Sequence, residues 1–218
     1  RMAKERRILD SALKVFADQG YSGTSMDAIA ALAGVSKPTL YQYFGSKEQL
    51  FSAIMVEQRD TMLGAFEEPD GLGLVPELWA FSWHYADTVL RPDFLSLARL
   101  TIGEAQRFPE IGRAYQSAGP ERVLRGMMAY LSAKRAEGRL AFDDAELAAE
   151  DLWGLILSAP RNRALHDAAN LPGRADLHRF ITNGLRVFLK AYSTDPGQDL
   201  AQLQALAAEG PTPRGHHD

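Results

Sequence analysis

Thr24-Ser-Met-Asp-Ala-Ile-Ala-Ala-Leu-Ala-Gly-Val-Ser-Lys-Pro-Thr-Leu-Tyr-Gln-Tyr-Phe44 reads as two short helices around a tight turn. Thr24 or Ser25 caps the first helix, and Met26, Ile29, Ala30 and Leu32 are expected on its inner face. Gly34 stands where that helix must stop, because glycine accepts the positive φ of a helix C-terminus without a Cβ penalty. Ser36 then caps a second helix with Lys37 and Pro38 in its first turn, where the missing N–H of proline costs nothing. Leu40 and Phe44, four residues apart, point inward. Helical geometry therefore turns Lys37, Pro38, Thr39, Gln42 and Tyr43 outward and leaves Tyr41 at the boundary. The exposed face is short, polar and aromatic, which suits a DNA groove. An α-hairpin in any helical bundle carries a similar pattern, so the turn alone does not decide for DNA.

The wider residues decide. Gly20-Tyr-Ser-Gly-Thr-Ser-Met-Asp-Ala-Ile-Ala, Ala33-Gly-Val-Ser-Lys-Pro-Thr-Leu-Tyr-Gln-Tyr-Phe and Ser46-Lys-Glu-Gln-Leu50 closely resemble the N-terminal domain of the TetR family of transcriptional regulators, over about residues 4 to 60. The resemblance implies a reading head that binds double-stranded operator DNA, with Lys47 contacting phosphate. The DNA-facing set is Thr24, Ser25, Ser36, Lys37, Pro38, Thr39, Tyr41, Gln42, Tyr43 and Lys47. Within it, Lys47 and Tyr43 are assigned to phosphate, and Lys37, Pro38, Tyr41 and Gln42 to bases or the groove edge.

Charge is consistent with this. The net charge of −4 argues at first against a nucleic-acid partner, but residues 1 to 50 hold 7 Lys and Arg against 5 Asp and Glu, so the acid lies elsewhere. A weakly basic head makes few phosphate contacts, which favours two heads and hence a dimer. The chain has no cysteine, so disulfides and thiolate metal sites are excluded and a reducing, cytoplasmic location is expected. No apolar run approaches the roughly 18 residues of a membrane span, so no membrane partner is expected.

Around the reading pair, Ile8, Leu9, Ala12, Leu13 and Phe16 repeat at helical spacing before Gly20. Ser46 with Gln49 makes a capping box for a helix that runs to about Glu67. Pro69-Asp-Gly-Leu-Gly-Leu-Val-Pro76 is the clearest break. Everything after it reads as helix, over about 77–90, 93–107, 109–117, 120–137, 144–166 and 174–192. Within this body, Leu95-Ser-Leu-Ala-Arg-Leu-Thr-Ile-Gly-Glu-Ala-Gln-Arg-Phe-Pro-Glu-Ile111 and Gly119-Pro-Glu-Arg resemble the C-terminal domain of the AefR-like branch of the same family. The expected fold is all-α. It comprises a three-helix helix-turn-helix domain at 4–66, a helical ligand-binding and dimerisation domain at 67–193, and a short helix with a disordered tail at 194–218.

Catalysis finds no foothold. The histidines, at 84, 166, 178, 216 and 217, lack metal-ligand spacing, and no phosphate loop, nucleophile elbow or paired-carboxylate motif appears. No enzyme activity, cofactor or metal is expected. The body is aromatic instead. Leu78, Trp79, Ser82, Trp83, Ala86 and Val89 form an inward stripe that core packing explains by itself. The resemblance implies a small inducer in this domain, and Trp79, Trp83, Arg99, Glu104, Tyr115 and Trp153 are the candidate pocket residues. The last two long helices carry apolar residues on more than one face, which suggests pairing with the same helices of a second copy through Leu157, Phe180, Leu185 and Phe188; the alternative is that these helices are central to the monomer. The expected protein is a homodimeric repressor released from a palindromic operator by an unknown small-molecule effector. The alternative is a constitutive helical DNA-binding or scaffold protein without one.

Overall fold

The computed structural model describes residues 2–67 and 71–211, and within 58–67 the backbone course only. Most of the expected disordered end, 212–218, lies outside the described residues. The fold is all-α, as expected, and among the described residues no strand forms. In order the helices are α1 (Met2–Gly23), α2 (Met26–Ala33), α3 (Lys37–Phe44), α4 (Lys47–Glu67), α5 (Leu74–Val89) and α6 (Pro92–Glu104). They continue as α7 (Pro109–Ala118), α8 (Pro120–Ala136), α9 (Ala145–His166), α10 (Arg174–Tyr192) and α11 (Pro196–Ala208). Gly20 interrupts α1 with φ 72 and ψ 170, so the regular helix ends where glycine was expected to end it.

Two compact units form, Arg1–Thr61 with Arg91–Arg122, and Met62–Leu90 with Val123–Asp218. They do not follow the expected boundary at 66/67. A Gly- and Pro-rich stretch marks where the helical path is interrupted, but which helices share a core is decided by their apolar faces. In the first unit Leu97 of α6 and Ile111 of α7 are buried in one core with Ile8, Phe16, Ile29, Leu40, Leu50, Phe51 and Ile54. Helices α6 and α7, which the sequence reads as part of the body, thus complete the core of the head.

Leu32 corrects another expectation: it is 50% exposed, and Ala33, at 1%, is buried in its place. Met26, Ile29, Ala30 and Ala33 fall on one helical stripe, and Leu32 lies a full residue rotation away from Ala33.

In the second unit α5 is buried on nearly all sides, including every residue of the expected stripe. Its start is fixed by Glu77, which accepts from the Tyr130 hydroxyl at 2.8 Å, the Gly73 amide at 3.2 Å and the Lys134 ammonium at 3.1 Å. Burial raises the Glu77 carboxyl, but Tyr130, Lys134 and Gly73 together outweigh it and hold the group below its ordinary value. α9 and α10 pack closely at Gly184, where an added Cβ would stand 2.6 Å from the Leu155 carbonyl oxygen. α11 docks on α10 and α5, with the fully buried Asp199 accepting from Arg139 at 2.7 Å and Ser193 at 2.6 Å.

Candidate nucleic-acid interface

The reading pair is set by its caps. Ser25 is extended and accepts from the Ala28 amide, which starts α2, and Gly34 ends it in the left-handed region at φ 61, ψ 40. Ser36 accepts from the Thr39 amide and starts α3 with Pro38 in its first turn. Leu40 is 0% and Phe44 5% exposed, which fixes the rotation of α3 about its axis. Each such buried side chain contributes about 1.5–3 kcal/mol of apolar burial, so that rotation is strongly enforced. Gly45, at φ 67, ends the helix, and Ser46 caps α4 by accepting from the Gln49 amide at 3.2 Å.

Ser36, Lys37, Pro38, Tyr41 and Gln42 accordingly share an exposed surface, with Thr39 and Tyr43 half-buried at its edges. The Thr39 hydroxyl is hydrogen-bonded to that of Ser36 at 2.8 Å. Lys37 pairs with Asp27 of α2 at 2.8 Å, and hydrogen bonding and charge from Asp27 raise its pKa. Both partners are largely exposed, so the pair contributes little and a phosphate can displace it.

Two members of the expected set sit differently. Thr24 is 4% exposed and its hydroxyl donates to the Gly20 carbonyl at 2.7 Å, so it closes the Gly20 turn and offers nothing to DNA. The Lys47 ammonium donates to the carbonyls of Tyr21 at 2.8 Å and Thr24 at 3.1 Å, and lies 4.5 Å from the centre of the Tyr21 ring. Two of its three N–H groups are thus spent in tying α4 to the end of α1, and one remains for an outside acceptor.

Sequence reasoning missed the seat on which this lysine rests. Tyr21 stacks on Phe16 at 5.6 Å, meets Phe51 edge-on at 5.6 Å and approaches Phe108 at 5.3 Å. Burial and the neighbouring Glu48 carboxylate push its hydroxyl pKa well up, while Glu48 itself is held low by its own backbone amide and the Ser46 hydroxyl. The signal available was an aromatic directly after Gly20, but its partner Phe108 is far away in sequence.

The expected ligand residues do not assemble into one set. Trp79 and Trp83 meet at 6.0 Å in the second unit, with His178 at 5.6 and 6.3 Å and the Arg174 guanidinium 4.2 Å over Trp83. The Trp83 indole nitrogen is buried without an acceptor among the described residues. Trp153 instead donates to the Tyr85 hydroxyl. Arg99, Glu104 and Tyr115 belong to the first unit, where Tyr115 packs on the core and Glu104 accepts weakly from the Ser22 amide at 3.5 Å.

The expected dimer residues are corrected by burial. Leu157, Leu185 and Phe188 are 1%, 0% and 0% exposed, so all three are consumed by the core of their own unit and present no surface to a second copy. Phe180 alone is half-buried, between the guanidinium groups of Arg163 at 5.4 Å and Arg179 at 5.0 Å.

Among the described residues no group of His, Asp and Glu could hold a metal ion, and no helix is long and apolar enough to cross a membrane. Residues 8–54 match the family of bacterial regulatory proteins of the TetR type, and residues 76–194 match the C-terminal domain of AefR-like transcriptional repressors. The uncharacterized HTH-type transcriptional regulator YhgD of Bacillus subtilis is 29% identical over 135 residues, 62% of this chain and 69% of that protein. A TetR-family regulator structure from Mesorhizobium loti superposes with a TM-score of 0.78 at 30% identity, covering 88% of this chain and 98% of its own. The flavonoid-responsive regulator FrrA does so with a TM-score of 0.74 at 33% identity, covering 89% and 99%.

Proposed function

The chain belongs to the TetR family of DNA-binding transcriptional regulators, which are not enzymes, and on that footing we propose a homodimeric repressor that leaves a palindromic operator when a small molecule binds. The observation that carries this reading is the face of α3. Leu40 and Phe44 lock its rotation, and Ser36, Lys37, Pro38, Tyr41 and Gln42 are held outward on a short helix that fits a major groove. Tyr43 and the remaining N–H of Lys47 serve the phosphates on either side.

One head reads only a few base pairs, so two heads related by a two-fold axis are needed for a specific site. On α9 and α10 the outward residues are Leu147, 63% exposed, and Val187, 37% exposed, together with the small side chains of Ser158, Ala159 and Ala191. This outer face, and not the buried Phe188, is the one we assign to the second copy. The effector is placed at Trp79, Trp83 and His178, where the unpaired indole N–H asks for an acceptor. An aromatic ligand bearing a carbonyl or phenolic oxygen meets that demand, and FrrA, a flavonoid-responsive regulator, supports the class.

Binding of the purified protein to a randomised operator library tests the reading. A palindromic consensus that shifts when Gln42 is replaced supports it, and failure to enrich any sequence rejects it. Trp83→Ala should keep operator affinity and lose the response to an aromatic effector; an unchanged response moves the effector elsewhere.

A further inference from the structure

Arg99 and Glu104, which sequence places in the body, line a cleft of the first unit with Phe16, Ala17, Gly20, Ser96, Leu100 and Gly103. Its volume is about 410 Å³, within the range of small-molecule sites. The residues from α6 recur at steps of three and four, so they form one stripe of that helix facing α1. Phe16 is the apolar floor, and Gly103 keeps the cleft open, since no atom lies within 4 Å of where its Cβ would be.

The chemistry of the lining is ordered along the helix. At one end stands the Arg99 guanidinium, 3.4 Å from the Ser96 hydroxyl, and at the other the Glu104 carboxylate, five residues and about 7.5 Å of helix rise away. Leu100 and the buried Phe16 supply the apolar part of the lining. A simple anion would meet Glu104 and a simple cation would meet Arg99, so neither matches both ends. We propose that the cleft between α1 and α6 binds a small zwitterion, a compact apolar or aryl body with a carboxylate at one end and an ammonium at the other, and that its occupation releases the reading head. The carboxylate lies against Arg99 and Ser96, the body on Phe16 and Leu100, and the ammonium on Glu104.

The link to the head runs through residues already described. Glu104 accepts from the Ser22 amide at 3.5 Å, a long bond that an ammonium easily outbids. Ser22 follows Gly20, the φ 72 break in α1, and lies between Tyr21 and Thr24, whose carbonyls hold Lys47. Drawing Glu104 away loosens the turn on which α4 is seated, next to α3. This site is separate from the Trp79–Trp83 cluster. Its effect on operator binding rests on the regulator reading above; the binding of the zwitterion does not.

The test uses the full chain and 4-(aminomethyl)benzoate as probe, followed by amide NMR shifts and by operator affinity. The expected result is a saturable perturbation centred on Ser96 to Glu104, with benzoate and benzylamine each binding about tenfold more weakly. Gly103→Leu, which fills the cleft from an exposed helical position, should lower probe affinity by about tenfold or more while keeping operator affinity. Arg99→Met, which leaves the space and removes one charge, should act likewise, and Trp83→Ala should bind the probe as the parent does. Equal binding by Gly103→Leu, equal binding of the singly charged analogues, or no saturable shift at Ser96 to Glu104 overturns the site. Binding without any fall in operator affinity overturns the release. A chain that takes the probe in the cleft but no DNA refutes the regulator reading and leaves the site standing.

Discussion

The α2–α3 pair and the α9–α10 pair are both formed by helices consecutive in the chain, yet they use their side chains in opposite ways. In α3 only Leu40 and Phe44 are buried, and the rest of an eight-residue helix faces outward or lies at the edge. In α9 and α10 many of the large side chains, Leu152, Ile156, Leu157, Ile181, Leu185, Phe188 and Leu189, turn inward, and much of the outer surface is left to small or charged groups. A short helix held by two anchors is a presenting device. A long pair that meets backbone to backbone at Gly184 is a structural spine, and any contact with a second copy has to use what the spine leaves over.

The largest effect that tests this contrast is at Phe188. Placing a carboxylate there buries an unpaired charge, so Phe188→Glu should unfold the second unit, at a cost of about 4 kcal/mol or more. By comparison Leu147→Glu with Val187→Glu should stay within about 0.5 kcal/mol per site in stability, while sedimentation reports monomers. A folded Phe188→Glu protein would mean that the spine is not packed as described, and a double mutant that remains dimeric would place the second copy on another face.

Next in size is the pair of glycines. Gly184→Ala drives a methyl group toward the Leu155 carbonyl and should cost about 2 kcal/mol in thermal unfolding, because backbone has to move. Gly154→Ala, with nothing within 4 Å, should instead stabilise α9 by up to about 1 kcal/mol. Equal responses would erase the distinction between the inner and outer faces of the pair.

On the reading side, replacing Gln42 should change operator preference by roughly 1–3 kcal/mol at one position and leave folding stability unaltered. Lys47→Ala should do the reverse. It should weaken every sequence alike, reduce the salt slope by about one unit if its free N–H reaches phosphate, and lower the melting temperature because the Tyr21 and Thr24 carbonyls lose their donor. A melting temperature that does not move would remove the seat from the account. The smallest change is Asp27→Ala. It should shift stability by less than about 0.5 kcal/mol and tighten DNA binding slightly, since Lys37 is then released from an exposed pair.

Legibility differed between the two regions for a physical reason. Around the turn, the caps Ser25, Gly34 and Ser36 and the anchors Leu40 and Phe44 each act within four residues of themselves, so local rules were sufficient. Leu32 is a local exception, one residue out of the buried stripe, whereas Thr24 and Lys47 fail because their side chains reach groups outside the two helices, at Gly20 and Tyr21. In the long pair, apolar residues on several faces left open whether a face belongs to the core or to another copy, and only packing chose.

Sequence by itself determined the helical breaks, the rotation of α3 and its outward face, and the absence of recognisable catalytic motifs, because caps, positive-φ glycines and 3.6-residue periodicity are properties of neighbouring residues. Tertiary structure alone decided that α6 and α7 complete the core of the head, that Arg99 and Glu104 part company with Trp79 and Trp83, and that Leu157, Leu185 and Phe188 lie inside. Those outcomes depend on which apolar faces meet across long stretches of chain, and an amphipathic helix specifies that it has a partner without specifying which.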